Sequence, residues 1–364
     1  MDTFAPVSPS IHMKNSKKTL VILSPGFPAN EMDSTCLPAQ QALVKSMNAC
    51  YPAINIIIIA FQYPYSSSRY QWHGNQVIPL NGRNRNQPYR WLVWLKAWQQ
   101  LKKIQEEEQL LGILSFWLGE CALIGHYFGK RKNLPHFTWI LGQDARPGNR
   151  YAKWVPLHSK SLIAMSDFLA RTFSENYGVK PKHTIPNGID PAMYEPQQKA
   201  RDIDIIGVGS LIPLKQYDLL INIVSMIRLK LPQLKVMICG KGPEQTHLEK
   251  LISEKGLDST IELTGEKTHA EVLQLMQRSK LLLHTSSYEG FSGACLEALY
   301  AGTYVVSFFN PQDGWIRHWH IVEDEQAMIE TALHLLCSDK PDHSPVLPYE
   351  MKDTAAAIMQ LFTG

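Results

Sequence analysis

The sequence predicts an α/β protein made of two parallel-sheet units in series. Short β-rich runs alternate with longer helical ones along the chain, the pattern of a parallel sheet covered on both faces. The alternation pauses at a polar, proline-bearing stretch, "NGIDPAMYEPQQKAR" (187–201), and then restarts. The length of 364 residues suits about two ordinary domains. With 45% apolar and 19% charged residues, the composition is that of a globular chain.

Taken in order, "TLVILS" (19–24) is a strand ending at Pro25 and Gly26, and "LPAQQALVKSMNA" (37–49) is a helix. "INIIIIAF" (54–61) is continuously β-branched, as in a strand buried on both faces. "PYRWLVWLKAWQQLKKIQEEE" and "DFLARTFSENYG" read as helices; "GILSFW" (112–117), "HFTWIL" (136–141) and "SLIAMS" (161–166) read as strands. The second unit opens with "DIDIIGVGSL" (202–211), a strand and glycine turn, followed by the helix "QYDLLINIVSMIRLKLP". "KVMICGKGP" (235–243) is strand plus turn, and "EQTHLEKLISEKG" is a helix with Gly256 as its stop. "TIELTG" (260–265), "KLLLHTS" (280–286) and "TYVVSFF" (303–309) continue the sheet. A last helix, "MKDTAAAIMQLF" (351–362), follows a proline-rich loop long enough to let it pack back on the first unit. The expected boundaries are 1–187, 188–350 and 351–364.

"LLGILSFWLGECALIGHYFG" (110–129) approaches the length of a membrane span, but Gly119, Glu120 and His126 interrupt it, so a buried strand and helix are expected. Lys14, Lys17 and Lys18 precede an apolar run that Pro25 and Gly26 break early, which does not read as a secretory leader. The six cysteines form no C-x-x-C pair, against a zinc site or a disulfide framework and in keeping with a reducing cytoplasm.

Charge is shared unevenly. Residues 1–190 hold 21 Lys and Arg against 11 Asp and Glu, a balance of +10; residues 191–364 hold 15 against 22, a balance of −7. A basic first half suits anionic lipid, phosphate or an acidic substrate, although a drift in solvated surface charge gives the same balance. Within it, 83–103 combines Arg83, Arg85, Arg90, Lys96, Lys102 and Lys103 with Trp91, Trp94, Leu95 and Trp98 at the spacing of one helix face. Such a helix can lie peripherally on an anionic membrane at the inner face of the cell, or turn its tryptophans to the core. The loops "NGRNRN" and "GKRKN" suit a negatively charged glycan or a lipid-linked acceptor, and no nucleic-acid partner is expected. "HWH" (318–320), placed on a helix, would point its two imidazoles apart and is expected to be structural.

Ligands of open α/β sheets sit beyond the carboxyl ends of the strands. The densest such segment is "SSYEGFSGACLEALYAG" (286–302). A loop with Gly290 and Gly293 lets backbone approach a ligand, and the helix start offers free amides to an anion such as a pyrophosphate. Glu289 lies before the helix and Glu297 within it. Carboxylates accept from vicinal hydroxyls, so two of them around an anion cradle suit a nucleotide sugar. The spacing alone equally fits a helix-dipole partner and a solvated surface acid.

"YEGFSGACLEALYAG" resembles the E-x7-E signature of the retaining GT-B glycosyltransferases, family 4, also described as glycosyl transferases group 1. "GVGSLIPLKQYDLLI", "VMICGKGPEQTHLEKLISEKGL" and "HTIPNGIDPAMY" resemble that family's second-domain opening, its next strand–turn–helix and its interdomain linker. The likeness covers about 160–310 well and 19–160 loosely. It implies a GT-B fold, two Rossmann-like domains with parallel sheets facing a central cleft: an N-terminal acceptor domain and a C-terminal nucleotide-sugar domain.

The resemblance also implies roles. Glu289 would contact the donor sugar, Glu297 the ribose, and Lys215 the departing diphosphate, with the amides of Phe291, Ser292, Gly293 and Ala294 cradling it. Gly209, Gly240, Gly242 and Pro243 would line the donor site, and Gly26 would allow close approach. Two departures stand out: Ser210 occupies the usual arginine position, and Gln143 and Asp144 stand where a histidine is common. Asp144 then becomes a candidate for binding a hydroxyl, unless it caps its own loop. The expected activity is retaining transfer of a hexose from a UDP- or GDP-linked donor to a glycan or lipid-linked acceptor for cell-surface polysaccharide or glycolipid, without metal or cofactor. "DID" (202–204) reads as the front of a strand, away from the site. The alternatives are a catalytically silent nucleotide-sugar-binding partner and a nucleotide-sugar epimerase of the same fold; a phosphorylase is disfavoured because no cofactor lysine is apparent.

Overall fold

The computed structural model describes residues 17–196 and 200–364; Lys14 and part of the 187–201 connection lie outside the described residues. The first sheet holds β1 (Lys18–Gly26), β2 (Ile54–Tyr63), β3 (Tyr70–Trp72), β4 (Asn75–Pro79), β5 (Gln109–Phe116), β6 (His136–Ile140), β7 (Leu162–Ala164) and β8 (His183–Thr184). Their spatial order is β3-β4-β2-β1-β5-β6-β7-β8, parallel throughout except for β3 against β4. Around it lie α1 (Pro38–Cys50), α2 (Tyr89–Glu107), α3 (Glu120–Lys132), the single turn α4 (Tyr151–Trp154) and α5 (Asp167–Tyr177).

The alternation of strand side chains builds a core on each face. Leu20, Ile22, Ile56 and Ile58 pack with Leu43 and Met47 of α1, while Val21, Leu23, Ile57 and Ile59 pack with Val93, Ala97 and Leu101 of α2. This is why the isoleucine run of β2 is unbroken. It also settles the facing of α2. Its buried stripe is Val93, Ala97, Leu101 and Ile104. The tryptophan stripe is split: Trp94 and Trp98 pack against the core, whereas Trp91 and Leu95 are 56% and 54% exposed, with Leu92 beside them at 51%.

The second sheet holds β9 (Ile203–Val208), β10 (Val236–Cys239), β11 (Ile261–Gly265), β12 (Ser279–His284), β13 (Tyr304–Ser307) and β14 (Trp319–Ile321), in order β11-β10-β9-β12-β13-β14 and all parallel. Its helices are α6 (Tyr217–Arg228), α7 (Gln245–Glu254), α8 (His269–Gln277), α9 (Gly293–Tyr300) and α10 (Glu325–Leu336).

The final helix, α11 (Met351–Thr363), buries Ala355, Ile358, Met359 and Phe362 in the first unit's core, beside α1. Phe362 meets Phe137 edge-on at 5.1 Å. A side chain at Gly112 would come within 2.6 Å of the Phe362 ring, so β5 carries glycine where α11 crosses it. The chain thus passes between the units twice. The two passages are bonded side by side, Ile189 N–H to Tyr349 C=O at 2.9 Å and Met351 N–H to Ile189 C=O at 2.8 Å.

Elements without a sequence reading are the small strands toward the sheet edges, β3, β4, β8 and β14, together with α4, α8 and α10. The β3–β4 turn is His73–Gly74, both at positive φ, which does the work of the more familiar Asn-Gly turn. "HWH" is not helical. His320 is in β14 and His318 just precedes it, so i and i+2 share a face, and both rings lie on Tyr304, at 4.6 and 6.1 Å between centroids. The pair remains structural, packed on that tyrosine.

Candidate functional site

The carboxyl ends of β1, β5 and β6 face those of β9, β10 and β12 across a cleft. Two cavities occupy it. One, of about 530 Å³, is lined by Pro25, Trp117 and Gln143 from the first unit and Lys215, Tyr288 and Glu289 from the second. The other, of about 200 Å³, is lined by Ser34 and Thr35 from the first and Gly209, Ser210, His269 and Glu297 from the second. The two acids of 286–302 therefore serve separate chambers.

Glu289 lies in the loop between β12 and α9. Its Oε1 forms an ion pair with Lys215 Nζ, lies 3.3 Å from His284 Nε2, and accepts from Ser286 Oγ at 3.2 Å. Burial alone would raise this carboxyl; the His284 hydrogen bond and the Lys215 charge outweigh it and bring it from 4.5 down to about 2. Lys215 is held from behind. Its carbonyl accepts from Thr285 Oγ at 2.9 Å, and Ser287 N–H donates to Leu214 C=O at 3.0 Å, stitching the Lys215 turn to the Glu289 loop. Three side chains and two backbone ties place one cation and one anion at the same spot.

Glu297 lies one turn into α9. His269 Nε2 is 2.8 Å from its Oε1. Burial lowers the His269 pKa, but the hydrogen bond and charge of Glu297 prevail and raise it. Ser292 caps α9, accepting from Cys295 N–H at 3.4 Å. The first-turn amides of Gly293 and Ala294 have no acceptor within the helix. At Gly293 a Cβ would meet only Asn187 Nδ2, at 3.9 Å, so this helix start is open. Phe291 is different: its ring is stacked on Trp319, leaving only its backbone for a ligand.

Several sequence-predicted residues do other work. Asp144 is 8% exposed, and its oxygens accept from the N–H groups of Leu118 (2.8 Å), Gly142 (2.8 Å) and Leu141 (3.2 Å). Burial, opposed by these donors, raises its pKa to about 6. It is a loop-capping residue, and Gln143 beside it faces the cleft instead. Gly26 is buried against Tyr63, its would-be Cβ 3.5 Å from that residue's Cβ, and Pro25 is the cleft residue of β1. Gly290 lines the larger cavity and also meets the other domain closely, since a Cβ there would lie 2.5 Å from Leu141 C=O. Gly209, Gly240 and Ser210 do line the smaller cavity. Gly242 instead fits beneath Leu211, whose carbonyl a Cβ would meet at 2.2 Å, and Pro243 lines neither cavity. Asp202 and Asp204 pair with Arg278 and Lys280 at the opposite end of the sheet.

Sequence reasoning missed His284 and His269. His284 closes a strand, so position alone could have flagged it. His269 is legible only once α8 and α9 are seen side by side.

Two parallel-sheet units with an anion-receptive helix start and paired acids at their shared cleft define a GT-B architecture. The whole chain superposes on solved structures of that kind at low sequence identity: sucrose-phosphate synthase from Thermosynechococcus elongatus with a TM-score of 0.71, 15% identity and 95% and 96% of the two chains covered, and the Anabaena protein HepE in complex with UDP and glucose with 0.65, 17%, and 95% of each. Residues 192–314 match the family model described as glycosyl transferases group 1. Among curated relatives, one subunit of the human phosphatidylinositol N-acetylglucosaminyltransferase is 34% identical over 125 residues, 34% of this chain and 26% of the relative. The MMP alpha-(1->4)-mannosyltransferase of Mycolicibacterium hassiacum is 27% identical over 161 residues, 43% of this chain and 38% of the relative. The chain thus spans well under half the length of these relatives.

Proposed function

We propose that this protein is a hexosyltransferase-type glycosyltransferase that uses a UDP- or GDP-linked sugar, with retention and without a metal, and delivers it to a glycan or lipid-linked acceptor in cell-surface polysaccharide or glycolipid synthesis. The observation that carries this is the Lys215–Glu289 pair beside the open start of α9. The UDP bound by HepE and the transferase names of the curated relatives support the same reading.

The residues suggest how such a reaction proceeds. A diphosphate entering at the α9 amides competes with Glu289 for Lys215. Lys215 moves its charge to the leaving oxygens, where negative charge grows as the sugar–phosphate bond breaks. Glu289, kept ionised and still held by His284 and Ser286, is then free to accept from the sugar hydroxyls. With Ser210 in place of arginine, Lys215 carries more of the phosphate charge. The acceptor oxygen bonds the anomeric carbon on the face the phosphate leaves, and its proton passes to the departing nucleoside diphosphate.

In this reading 1–187 binds the acceptor, 188–350 binds the donor, 351–364 rests on the first domain, and the cleft closes about 187–201. A donor-hydrolysis and transfer assay over common UDP- and GDP-sugars, with Glu289→Ala as control, tests it. Turnover that Glu289→Ala abolishes supports it; nucleotide binding without turnover on any donor leaves the silent partner. Inversion at the anomeric carbon, read by NMR, would refute the stereochemical part.

A lipid-linked acceptor also accords with the outer face of α2. Among the described residues no helix is long and apolar enough to cross a membrane. Trp91, Leu92 and Leu95 are instead exposed together behind Arg83 and Arg85, an arrangement suited to peripheral contact with anionic lipid at the cytoplasmic face.

A further inference from the structure

His269, the first residue of α8, engages two partners. Its Nε2 lies 2.8 Å from Glu297 Oε1, with the two side chains only 12% and 18% exposed. Its backbone N–H, too early in the helix for an intrahelical acceptor, donates across the cleft to Ser34 Oγ at 3.3 Å. Ser34 belongs to the loop joining β1 to α1, in the other unit. That loop is braced from inside. Asp33 Oδ2 accepts from Ala29 N–H at 3.0 Å and from the Tyr63 hydroxyl at 2.8 Å, while Gln41 Nε2 donates to the carbonyls of Asp33 and Cys36 at 2.9 and 2.7 Å. On its own side His269 follows Thr268, whose side chain and that of Glu271 cap α8 reciprocally.

The histidine therefore sits between two fixed frames and touches the acid that lines the smaller chamber. A free glutamate side chain loses rotamer freedom when it is fixed. Here that ordering is done before a ligand arrives. The Nε2–H takes one lone pair of Oε1, leaving Oε2 and the rest of Oε1 to receive two adjacent hydroxyls. The His269 pKa, raised despite burial, shows the proton favoured at this position, which strengthens the bond by charge.

We infer that His269 is a positioning residue that presents the Glu297 carboxylate to the two vicinal ribose hydroxyls of a nucleoside diphosphate, and that Ser34 ties this arrangement to the first domain. The inference rests on the nucleotide-sugar reading above and names a further part of the same site. It is specific to the hydroxyls. The diphosphate meets Lys215 and the α9 start, and a base would meet the Gly240 turn, so neither depends on His269.

The test is calorimetric titration of the full chain with UDP and 2′,3′-dideoxy-UDP, and with the corresponding guanine pair. For the base it accepts, the wild type should prefer the hydroxylated nucleotide by on the order of tenfold or more, the worth of a hydrogen bond to a charged group. His269→Leu should erase most of that preference by weakening only the hydroxylated nucleotide, with dideoxy affinity within about twofold of wild type. His269→Gln, whose amide can still donate to Glu297, should keep most of it, and Ser34→Ala should fall between. A His269→Leu variant that weakens both nucleotides equally, or neither, overturns the inference while the nucleotide reading stands. A wild type that binds neither UDP nor GDP overturns both. If the leucine variant melts before titration, Ser34→Ala decides, and an unchanged preference there counts against the relay.

Discussion

Each half of the cleft carries buried acids just beyond its strands, yet the two halves use them in opposite ways. In the first domain Asp144 is saturated by three backbone N–H groups. Glu120, at the start of α3, accepts from Trp94 Nε1 at 2.8 Å and from the Gln62 amide. Asp144 holds its loop in place, and Glu120 ties α2 to β2, with Arg90 Nε 4.0 Å away. In the second domain Glu289 and Glu297 are each steadied by a histidine and keep a side open to a cavity. Place in the fold is the same; the donors differ. Backbone amides fix a carboxylate permanently, whereas a side-chain cation can be drawn away by a competing anion. What sets the second domain's acids apart is that each keeps a side open to a cavity.

Lys215→Ala should break this contrast most severely. It leaves Glu289 without its cation and the diphosphate without its charge, and turnover should fall by on the order of 10²-fold or more. Steady-state kinetics on the accepted donor would show it, and normal turnover would remove Lys215 from the mechanism.

The two kinds of acid should also respond oppositely to pH. Glu289 has its folded pKa depressed from 4.5 to about 2, so its contribution to stability is full above pH 4.5 and is lost as pH falls toward 2. Asp144 has its folded pKa raised from 3.8 to about 6. Its ionised form is the one the fold disfavours, so wild type gains from this group as pH falls from 6 toward 3.8. Urea unfolding as a function of pH should show the destabilisation by Glu289→Gln shrinking below pH 4.5, and that by Asp144→Asn growing below pH 6. Parallel curves would mean that the two carboxyls are not held differently.

Thr268→Ala removes one half of the cap on α8 and should cost about 1 kcal/mol of unfolding free energy, measurable by the same method. The smallest effect belongs to the outer face of α2. Leu95→Ser touches no core and should change stability by about 0.5 kcal/mol or less. It should nonetheless weaken flotation with vesicles containing anionic lipid. Flotation that ignores both the substitution and salt would detach this face from the membrane.

The sequence made the second domain's cleft edge legible because its chemistry is local: strand end, glycine turn, helix start and acid follow one another within a few residues. The continuous isoleucine run of β2 likewise announced a central strand. Asp144 was read toward the ligand because one of its actual partners, Leu118, lies elsewhere along the chain. The facing of α2 stayed open for a related reason. A helix with both a tryptophan stripe and a Val93–Ala97–Leu101–Ile104 stripe offers two apolar faces, and its own residues do not say which one the sheet covers. His269 carried no sequence signal at all, because its meaning comes from two separate helices and a loop of the other domain.

The paired passage at Ile189 and Glu350 restricts how the cleft can open. A single-stranded tether lets two bodies swivel freely, whereas two bonded ones behave like the cloth spine of a book. Twisting across such a spine would shear the Ile189 hydrogen bonds. Any parting of the covers should therefore return the Lys215 side of the page to the same facing line.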